Sequence, residues 1–136
     1  YNGTAVSMGN PHFVIFVDDV DSLKLEEIGP RIENHPLFPE RTNVEFVQVI
    51  DENTVKFRVW ERGSGETWAC GTGACAVTVT SIFLSKAGKK DQELNVLVKG
   101  GKLKVTYRSD NHVFLKGPAT HVFDGVIEIP EEILNK

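Results

Sequence analysis

A long uncharged segment constrains this chain more than any other feature. No charged residue occurs between Gly73 and Ser85. The β-branched run Val77 to Thr80 favours a strand by propensity, but the whole segment is longer than a typical strand. It ends in Lys86-Ala87-Gly88, and a basic residue followed by glycine is typical of a helix C-terminus. Because a helix without a polar face must be covered on all sides, we predict a buried central helix over about residues 72–87.

Runs with strand character lie on both sides of this segment. Val55, Phe57 and Val59 alternate with charged residues, which is the period of a half-buried strand. Gly100-Gly101 separates two further runs and predicts a two-residue hairpin turn. The predicted strands cover residues 12–17, 43–50, 54–60, 93–99, 102–108, 112–116 and 122–129. The fold class that follows is α+β, with a mixed or antiparallel β-sheet wrapped around the central buried helix.

Composition excludes several classes of function. The 136 residues suit one domain of ordinary globular composition, with 40% hydrophobic and 25% charged residues. A net charge of -4, with scattered Lys and Arg, disfavours a nucleic-acid partner. No apolar run approaches the ~20 residues that cross a bilayer, so we predict no membrane partner. The chain begins at Tyr1 and its one methionine is Met8, so we expect it to be part of a longer protein.

The chain contains two cysteines, Cys70 and Cys75. A disulfide framework in a secreted domain usually has more cysteines at wider spacing. A zinc site would need further ligands, and the four histidines are dispersed along the sequence. We therefore expect free thiols in a reducing, cytoplasmic compartment, and no bound metal.

Cys70 stands at the predicted start of the central helix. The N–H groups of a first helical turn lack partners and carry partial positive charge, so a cysteine there can have a lowered pKa and act as a base. The N–H groups of Gly71, Thr72 and Gly73 can bind a carboxylate. A base and an anion site in one turn suit the removal of a proton from a carbon next to a carboxylate. A purely structural cysteine is the alternative for Cys70 and the adopted interpretation for Cys75.

Other polar residues allow a functional and a structural interpretation. Arg62 could pair with a substrate carboxylate, and Glu61 could bind an ammonium group or move a proton, whereas the alternative is an ordinary surface loop. His12 follows a tight turn and could transfer protons, but core histidines are commoner. Asn43 opens a predicted strand, where an amide often only caps a turn.

Four motifs, in this order and spacing, resemble the C-terminal half of the diaminopimelate epimerase family. They are Gly9-Asn10-Pro11-His12, Arg41-Thr42-Asn43-Val44, the run Trp60 to Thr67 and the run Ala69 to Ala76. The likeness extends over nearly the whole chain. It implies an epimerase domain over residues 1–119. It also implies a closing strand and tail over residues 120–136 that pack on an N-terminal half missing from this sequence.

The resemblance also implies an activity. Members of the family interconvert LL- and meso-diaminopimelate, in lysine and peptidoglycan-precursor synthesis, without pyridoxal phosphate or metal. Two thiols act from opposite faces of the substrate α-carbon, and Cys70 resembles one of them. His12 and Glu61 resemble auxiliary catalytic residues. The residues implied to bind substrate are Asn10, Asn43, Glu61, Arg62, Gly71 and Thr72.

The partner thiol of the family lies in the other half, so the resemblance implies that this chain alone does not epimerise. Cys75, inside the helix, cannot replace it. The alternatives are a two-thiol enzyme of the proline racemase type, a phenazine-type isomerase of the same fold and a non-catalytic binding module. Glu61 and Arg62 favour diaminopimelate, because proline has no second charged amino-acid centre. The oligomeric state stays open, a homodimer included.

Overall fold

The strands of this chain form one curled sheet. In the computed structural model, which describes residues 1–134, they are β1 (Thr4–Ser7), β2 (Pro11–Phe16), β3 (Asn43–Asp51), β4 (Thr54–Glu61), β5 (Gly65–Thr67), β6 (Glu93–Val98), β7 (Gly101–Tyr107) and β8 (Val113–Lys116). Their order is β1-β2-β3-β4-β6-β7-β8, with β5 paired to β4. The β2–β3 and β4–β6 pairs are parallel and the other pairs are antiparallel. Six of these eight strands correspond to strands predicted from the sequence, out of seven predicted.

Side-chain alternation gives the sheet two apolar faces, each covered by one helix. Helix α1 (Leu25–Glu33) packs on the face that presents Ile15 and Phe46. Helix α2 (Gly71–Phe83) packs on the face that presents Val14 and Phe57. Neighbouring residues of β2 therefore belong to different cores, as the period of two requires. The predicted mixed sheet around a central helix is confirmed.

Helix α2 ends earlier than predicted. Its last residue is Phe83, whereas the sequence predicted a helix to residue 87. Ser85 has a left-handed backbone (φ 53°), and the Lys86 N–H donates to the Ser81 carbonyl over 2.8 Å. This pattern is a Schellman-type end, with serine in the position that glycine usually takes. Gly88, the expected stop, lies beyond the helix in the following loop.

The last predicted strand, residues 122–129, does not form within the described part of the chain. After β8 the chain has no regular structure until a short helix, α3 (Glu131–Leu134). Val122, Phe123, Val126 and Ile127 are each at least 79% exposed. An alternating apolar pattern forms a strand only when a sheet edge pairs with it, and these residues pair with none of the described strands. Of the predicted tail, residues 135–136 lie outside the described part of the chain.

The described helices are short. None in residues 1–134 is both long and apolar enough to cross a membrane.

Candidate active site

The predicted site residues converge at one edge of the sheet. Strands β2 and β3 are parallel, and His12 of β2 stands beside Asn43 of β3. Strand β4 runs antiparallel to β3, so it ends at the same edge, at Glu61. Cys70 caps the start of α2, which packs against β2 and β3. Parallel and antiparallel pairing together thus bring four distant parts of the sequence to one place.

Cys70 is the N-cap residue of α2. Its backbone is extended (φ -131°, ψ 113°), and its Sγ accepts a hydrogen bond from the Gly73 N–H at 3.3 Å. The Thr72 hydroxyl lies 3.6 Å from the same sulfur. Cys70 is only 9% exposed, whereas Gly71 and Thr72 are exposed. The thiol therefore lies just below an exposed first turn, where the Gly71 and Thr72 N–H groups have no partner within the helix.

The surroundings of Cys70 act on its pKa in opposite directions. Burial raises the pKa of the thiol, and the negative charges of Glu61 and Glu45 add to that effect. Hydrogen bonds from Thr72 and Gly73 lower it, because they stabilise the thiolate. Burial is the largest effect and the net pKa is raised, so the lowered pKa predicted from the helix start is wrong for this chain. The fraction of Cys70 present as thiolate consequently depends on the donors that reach its sulfur.

Asn10 and His12 connect to Cys70 through Thr72. The Asn10 Nδ2 donates to the Thr72 Oγ1 at 3.2 Å, and the His12 Nε2 lies 3.0 Å from the Asn10 Oδ1. On its other side, the His12 Nδ1 lies 2.6 Å from the Glu45 Oε1. His12 and Glu45 are 1% and 0% exposed. The predicted residues Asn10, His12, Thr72 and Cys70 thus form one connected group, which continues to Glu45.

Asn43, Glu61 and Arg62 form the rim of this group. The Asn43 side chain accepts from the Arg62 N–H at 2.9 Å and donates to the Pro11 carbonyl at 2.9 Å, so it ties β2 to the loop after β4. Glu61 accepts from the Thr67 hydroxyl at 2.5 Å. The Arg62 guanidinium donates to the Glu40 carbonyl at 3.0 Å. Asn43 and Arg62 therefore lie together, with part of their hydrogen-bonding capacity used inside the protein.

A second buried carboxylate, Glu33, holds the loop that carries Arg62. It is 6% exposed and accepts from the Trp60 Nε1 (2.7 Å), the Gly63 N–H (2.9 Å) and the Arg41 Nη1 (3.1 Å). Three donors satisfy both of its oxygens, as a buried carboxylate requires. Glu33 thereby fixes the approach of the loop to the site without reaching the thiol itself.

Sequence reasoning missed Glu33 and Glu45. Glu45 could have been found, because it interrupts the apolar run from Val44 to Val47, where a carboxylate has no solvent to face. Glu33 gave no comparable signal, since it ends an amphipathic helix among other acidic residues. Its role depends on a long-range contact to Trp60 that no local pattern encodes.

A surface cavity of about 460 Å³ opens beside this group. Asn10, Pro11, His12 and Glu40 are among the residues that line it. Two residues of the connected group, Asn10 and His12, therefore border open space. Among residues 1–134, no group of three or more His, Cys, Asp or Glu side chains is placed to hold a metal ion.

Comparison with known proteins identifies the family of this chain. A profile of the family described as diaminopimelate epimerase matches residues 4–122. A diaminopimelate epimerase from Phocaeicola vulgatus is 54% identical over 130 residues, which cover 95% of this chain and 45% of that protein. One from Agathobacter rectalis is 57% identical over 127 residues, which cover 93% of this chain and 44% of that protein. The chain spans about half the length of the curated relatives it matches.

Solved structures share the fold at lower identity. A phenazine biosynthesis protein of the PhzF family from Bacillus anthracis superimposes with a TM-score of 0.56 at 22% identity, over 83% of this chain and 37% of that one. A phenazine biosynthesis protein from Clostridium difficile gives a TM-score of 0.53 at 22% identity, over 79% of this chain and 39% of that one. These likenesses concern the fold alone. With the family profile and the curated relatives, the sequence evidence is decisive: this chain belongs to the diaminopimelate epimerase family.

Proposed function

We propose that this chain is the C-terminal half of a diaminopimelate epimerase and that Cys70 is one of its two catalytic thiols. The observation that carries the proposal is the position of the Cys70 sulfur. It caps α2, accepts from the Gly73 N–H at 3.3 Å and connects through Thr72 to Asn10. A sulfur that only filled the core would not need a chain of polar partners.

The proposed reaction is an exchange of protons at the substrate α-carbon. The Cys70 thiolate takes the α-proton and becomes a thiol, and the electron pair left on carbon delocalises into the adjacent carboxylate. A thiol of the other half then donates its proton to the opposite face and becomes a thiolate. No atom is gained or lost, and the configuration inverts. In the reverse direction the Cys70 thiol is the donor.

The start of α2 supplies the electrostatic stabilisation for this step. The exposed N–H groups of Gly71 and Thr72 bind the carboxylate at the reacting carbon, where negative charge develops. Asn10, Asn43 and Arg62 read the distal end of the substrate. Glu61 binds substrate and, with His12, assists proton transfer. Arg62 suits the distal carboxylate because a guanidinium forms two parallel hydrogen bonds with it.

The second thiol belongs to the half that the relatives contain beyond the length of this chain. Cys75 does not supply it, because it lies inside α2, on a different side of the helix from the cap. We therefore expect the isolated chain to be inactive. Both described cysteines are free. The proposed place of action is the cytoplasm, in lysine and peptidoglycan-precursor synthesis. Neither a cofactor nor a metal takes part in the proposed step.

Turnover of LL- to meso-diaminopimelate tests the proposal. The chain is assayed alone and as a fusion behind the N-terminal half of the Phocaeicola vulgatus relative. We expect no turnover by the isolated chain and clear turnover by the fusion. Cys70→Ser in the fusion should reduce turnover by at least about 10³-fold, because removing a catalytic nucleophile or base costs on that order.

Cys75→Ala is the matched control, because it removes the other thiol from the same helix. It should leave turnover close to that of the unsubstituted fusion. Turnover by the isolated chain would refute the need for a second half. A folded fusion without turnover, or a Cys70→Ser fusion that keeps it, would refute the assignment of Cys70 and favour a binding module of the same fold.

A further inference from the structure

Glu45 is a buried carboxylate that the proposed reaction does not yet use. It is the third residue of β3, is 0% exposed and faces α2. Its Oε1 lies 2.6 Å from the His12 Nδ1, and its Oε2 has no hydrogen-bond partner among the described residues. A fully buried carboxylate with one unpartnered oxygen costs folding free energy. Such a cost calls for a role that an apolar side chain could not perform.

The contacts from Glu45 to Cys70 have one direction. The Asn10 Oδ1 can only accept, so the His12 Nε2 carries the hydrogen between them. A second hydrogen therefore lies between the His12 Nδ1 and Glu45, and these two groups share it. The Asn10 Nδ2 donates to the Thr72 Oγ1, which leaves the hydroxyl hydrogen of Thr72 free to point at the Cys70 sulfur, 3.6 Å away. The series of hydrogen bonds from Glu45 through His12, Asn10 and Thr72 to Cys70 is called the relay here. Every donor in this relay points towards the sulfur.

We propose that Glu45 is a positioning residue for Cys70: by holding one hydrogen against the His12 Nδ1, it fixes the histidine tautomer that directs the relay, and so keeps a hydroxyl donor on the sulfur. The inference rests on the proposed function, because a donor on the sulfur matters only if Cys70 must become a thiolate. Glu45 then acts through His12 and does not itself touch the substrate.

The space around Glu45 is consistent with a fixed position. A methyl group at Gly73 would come within 2.9 Å of the Glu45 Oε1, so the second glycine after the cysteine leaves room for this carboxylate. Burial raises the pKa of Glu45, in spite of its hydrogen bond to His12. A carboxyl group with a raised pKa is suited to share a hydrogen with an imidazole.

Three ionisable groups face Glu45 from the elements around it. They are His12 from β2, Glu61 from β4 and Cys70 at the start of α2. As a bare charge, Glu45 raises the pKa of the Cys70 thiol. As the origin of the relay, it lowers the same pKa through Thr72. The two roles therefore predict opposite shifts when Glu45 is removed, and the sign decides between them.

The test is the pH dependence of Cys70 alkylation by iodoacetamide in the 136-residue chain. Cys75→Ala is present throughout, so that only Cys70 reacts. Glu45→Met removes the relay origin, and its alkylation midpoint should rise by about one pH unit, which is tenfold less thiolate at a fixed pH. Glu45→Gln should restore the wild-type midpoint, because its amide N–H can donate to the His12 Nδ1 and keep the same tautomer. Glu33→Gln, at the other buried carboxylate, should leave the midpoint unchanged.

A double substitution separates the relay from a general loss of structure. Thr72→Val removes the last donor at an exposed position and should raise the midpoint as much as Glu45→Met does. In the Thr72→Val background, Glu45→Met should produce no further shift, because both act through one hydroxyl. Thr72→Ser should behave as wild type. If Glu45→Met unfolds the chain in a thermal melt, Asn10→Ala breaks the same relay and takes its place.

Several outcomes would overturn the proposal. A lower midpoint in Glu45→Gln or Glu45→Met would assign Glu45 a purely electrostatic role. Additive shifts in the double variant, or a shift in Glu33→Gln equal to that in Glu45→Met, would assign it a structural one. Alkylation does not require turnover, so an inactive fusion would refute the proposed function while this measurement still judged the relay.

Discussion

The two sides of helix α2 have opposite surroundings. One side, with Ala74, Val77 and Ser81, is 0% exposed and packs on the sheet. The other side carries Cys75, Val79 and Phe83, and Phe83 is 78% exposed. Both sides are uncharged, so the sequence pattern does not distinguish them. The difference comes from the sheet, which curls from β1 to β8 around α2 without closing over its second side.

The contacts around the thiol can therefore be distinguished from the contacts that bury the helix. At the start of α2, the Cys70 sulfur accepts from the Gly73 N–H of the same turn, Thr72 accepts from Asn10 just before β2, and Gly73 lies against Glu45 of β3. Thr72 is itself exposed, so the contacts around the thiol are not confined to the covered side. The two sides of α2 differ in burial, and three substitutions test that difference.

A charge on the covered side should have the largest effect. Val77→Asp would bury a carboxylate without a partner, and we expect a loss of about 4 kcal/mol or more in the free energy of unfolding. Val79→Asp, two residues away on the uncovered side, can reach solvent and should cost about 1 kcal/mol or less. Urea denaturation of both variants measures the contrast. Equal losses would mean that the second side of α2 is covered in solution.

A methyl group at the start of the helix should have an intermediate effect. Gly73→Ala improves helix propensity by about 1 kcal/mol, but its Cβ would meet the Glu45 Oε1 at 2.9 Å. We expect a net loss of up to about 2 kcal/mol, because buried overpacking typically costs about 1–3 kcal/mol and the propensity gain offsets about 1 kcal/mol of it. Gly71→Ala is the control, since its Cβ meets only the end of the Leu115 side chain, at 3.2 Å. A Gly73→Ala variant as stable as wild type would show that Glu45 is free to move.

An isosteric exchange should have the smallest effect, and it should stabilise. Thr78 is 0% exposed and its hydroxyl has no hydrogen-bond partner among the described residues. Thr78→Val removes that unsatisfied group at almost constant volume, so we expect a gain of about 1 kcal/mol. Val79→Thr, the reverse exchange on the uncovered side, should change stability by less than about 0.5 kcal/mol. Thermal melts of both variants measure the difference, and a destabilised Thr78→Val would show that its hydroxyl has a partner in solution.

Local pattern predicted most of the fold because most of its elements are regular. The β4 alternation of Val55, Phe57 and Val59 is the burial pattern observed. A two-residue hairpin turn joins β6 to β7 as predicted, but it consists of Lys99-Gly100, one residue earlier than the predicted Gly100-Gly101. The end of α2 could not be predicted, because Ser85 takes a left-handed conformation that sequences usually give to glycine. The strand predicted for residues 122–129 failed for another reason. Its pattern is suited to a sheet, but no described edge receives it.

The sequence predicted which residues form the candidate site, but not all of the hydrogen bonds that connect them. Cys70, Asn10 and His12 were identified from motifs, and the structure places them in one hydrogen-bonded group. Glu45 was not identified, because only the pairing of β2 with β3 brings its carboxylate to the His12 imidazole. The direction of the thiol pKa was also missed. Helix-start chemistry is local, whereas burial is a property of the whole fold.

The two parallel pairs in the sheet impose an order of assembly. Hairpins such as β6–β7 can close through a tight turn, but β4 and β6 can pair only after the chain between them, which includes α2, has crossed over the sheet. Distant contacts of this kind form late, because loop-closure entropy is lost before they compensate it. A folding chain can thus contain most of its antiparallel ladders while Cys70 is still unplaced. The start of α2 reaches its partners only with the final crossover.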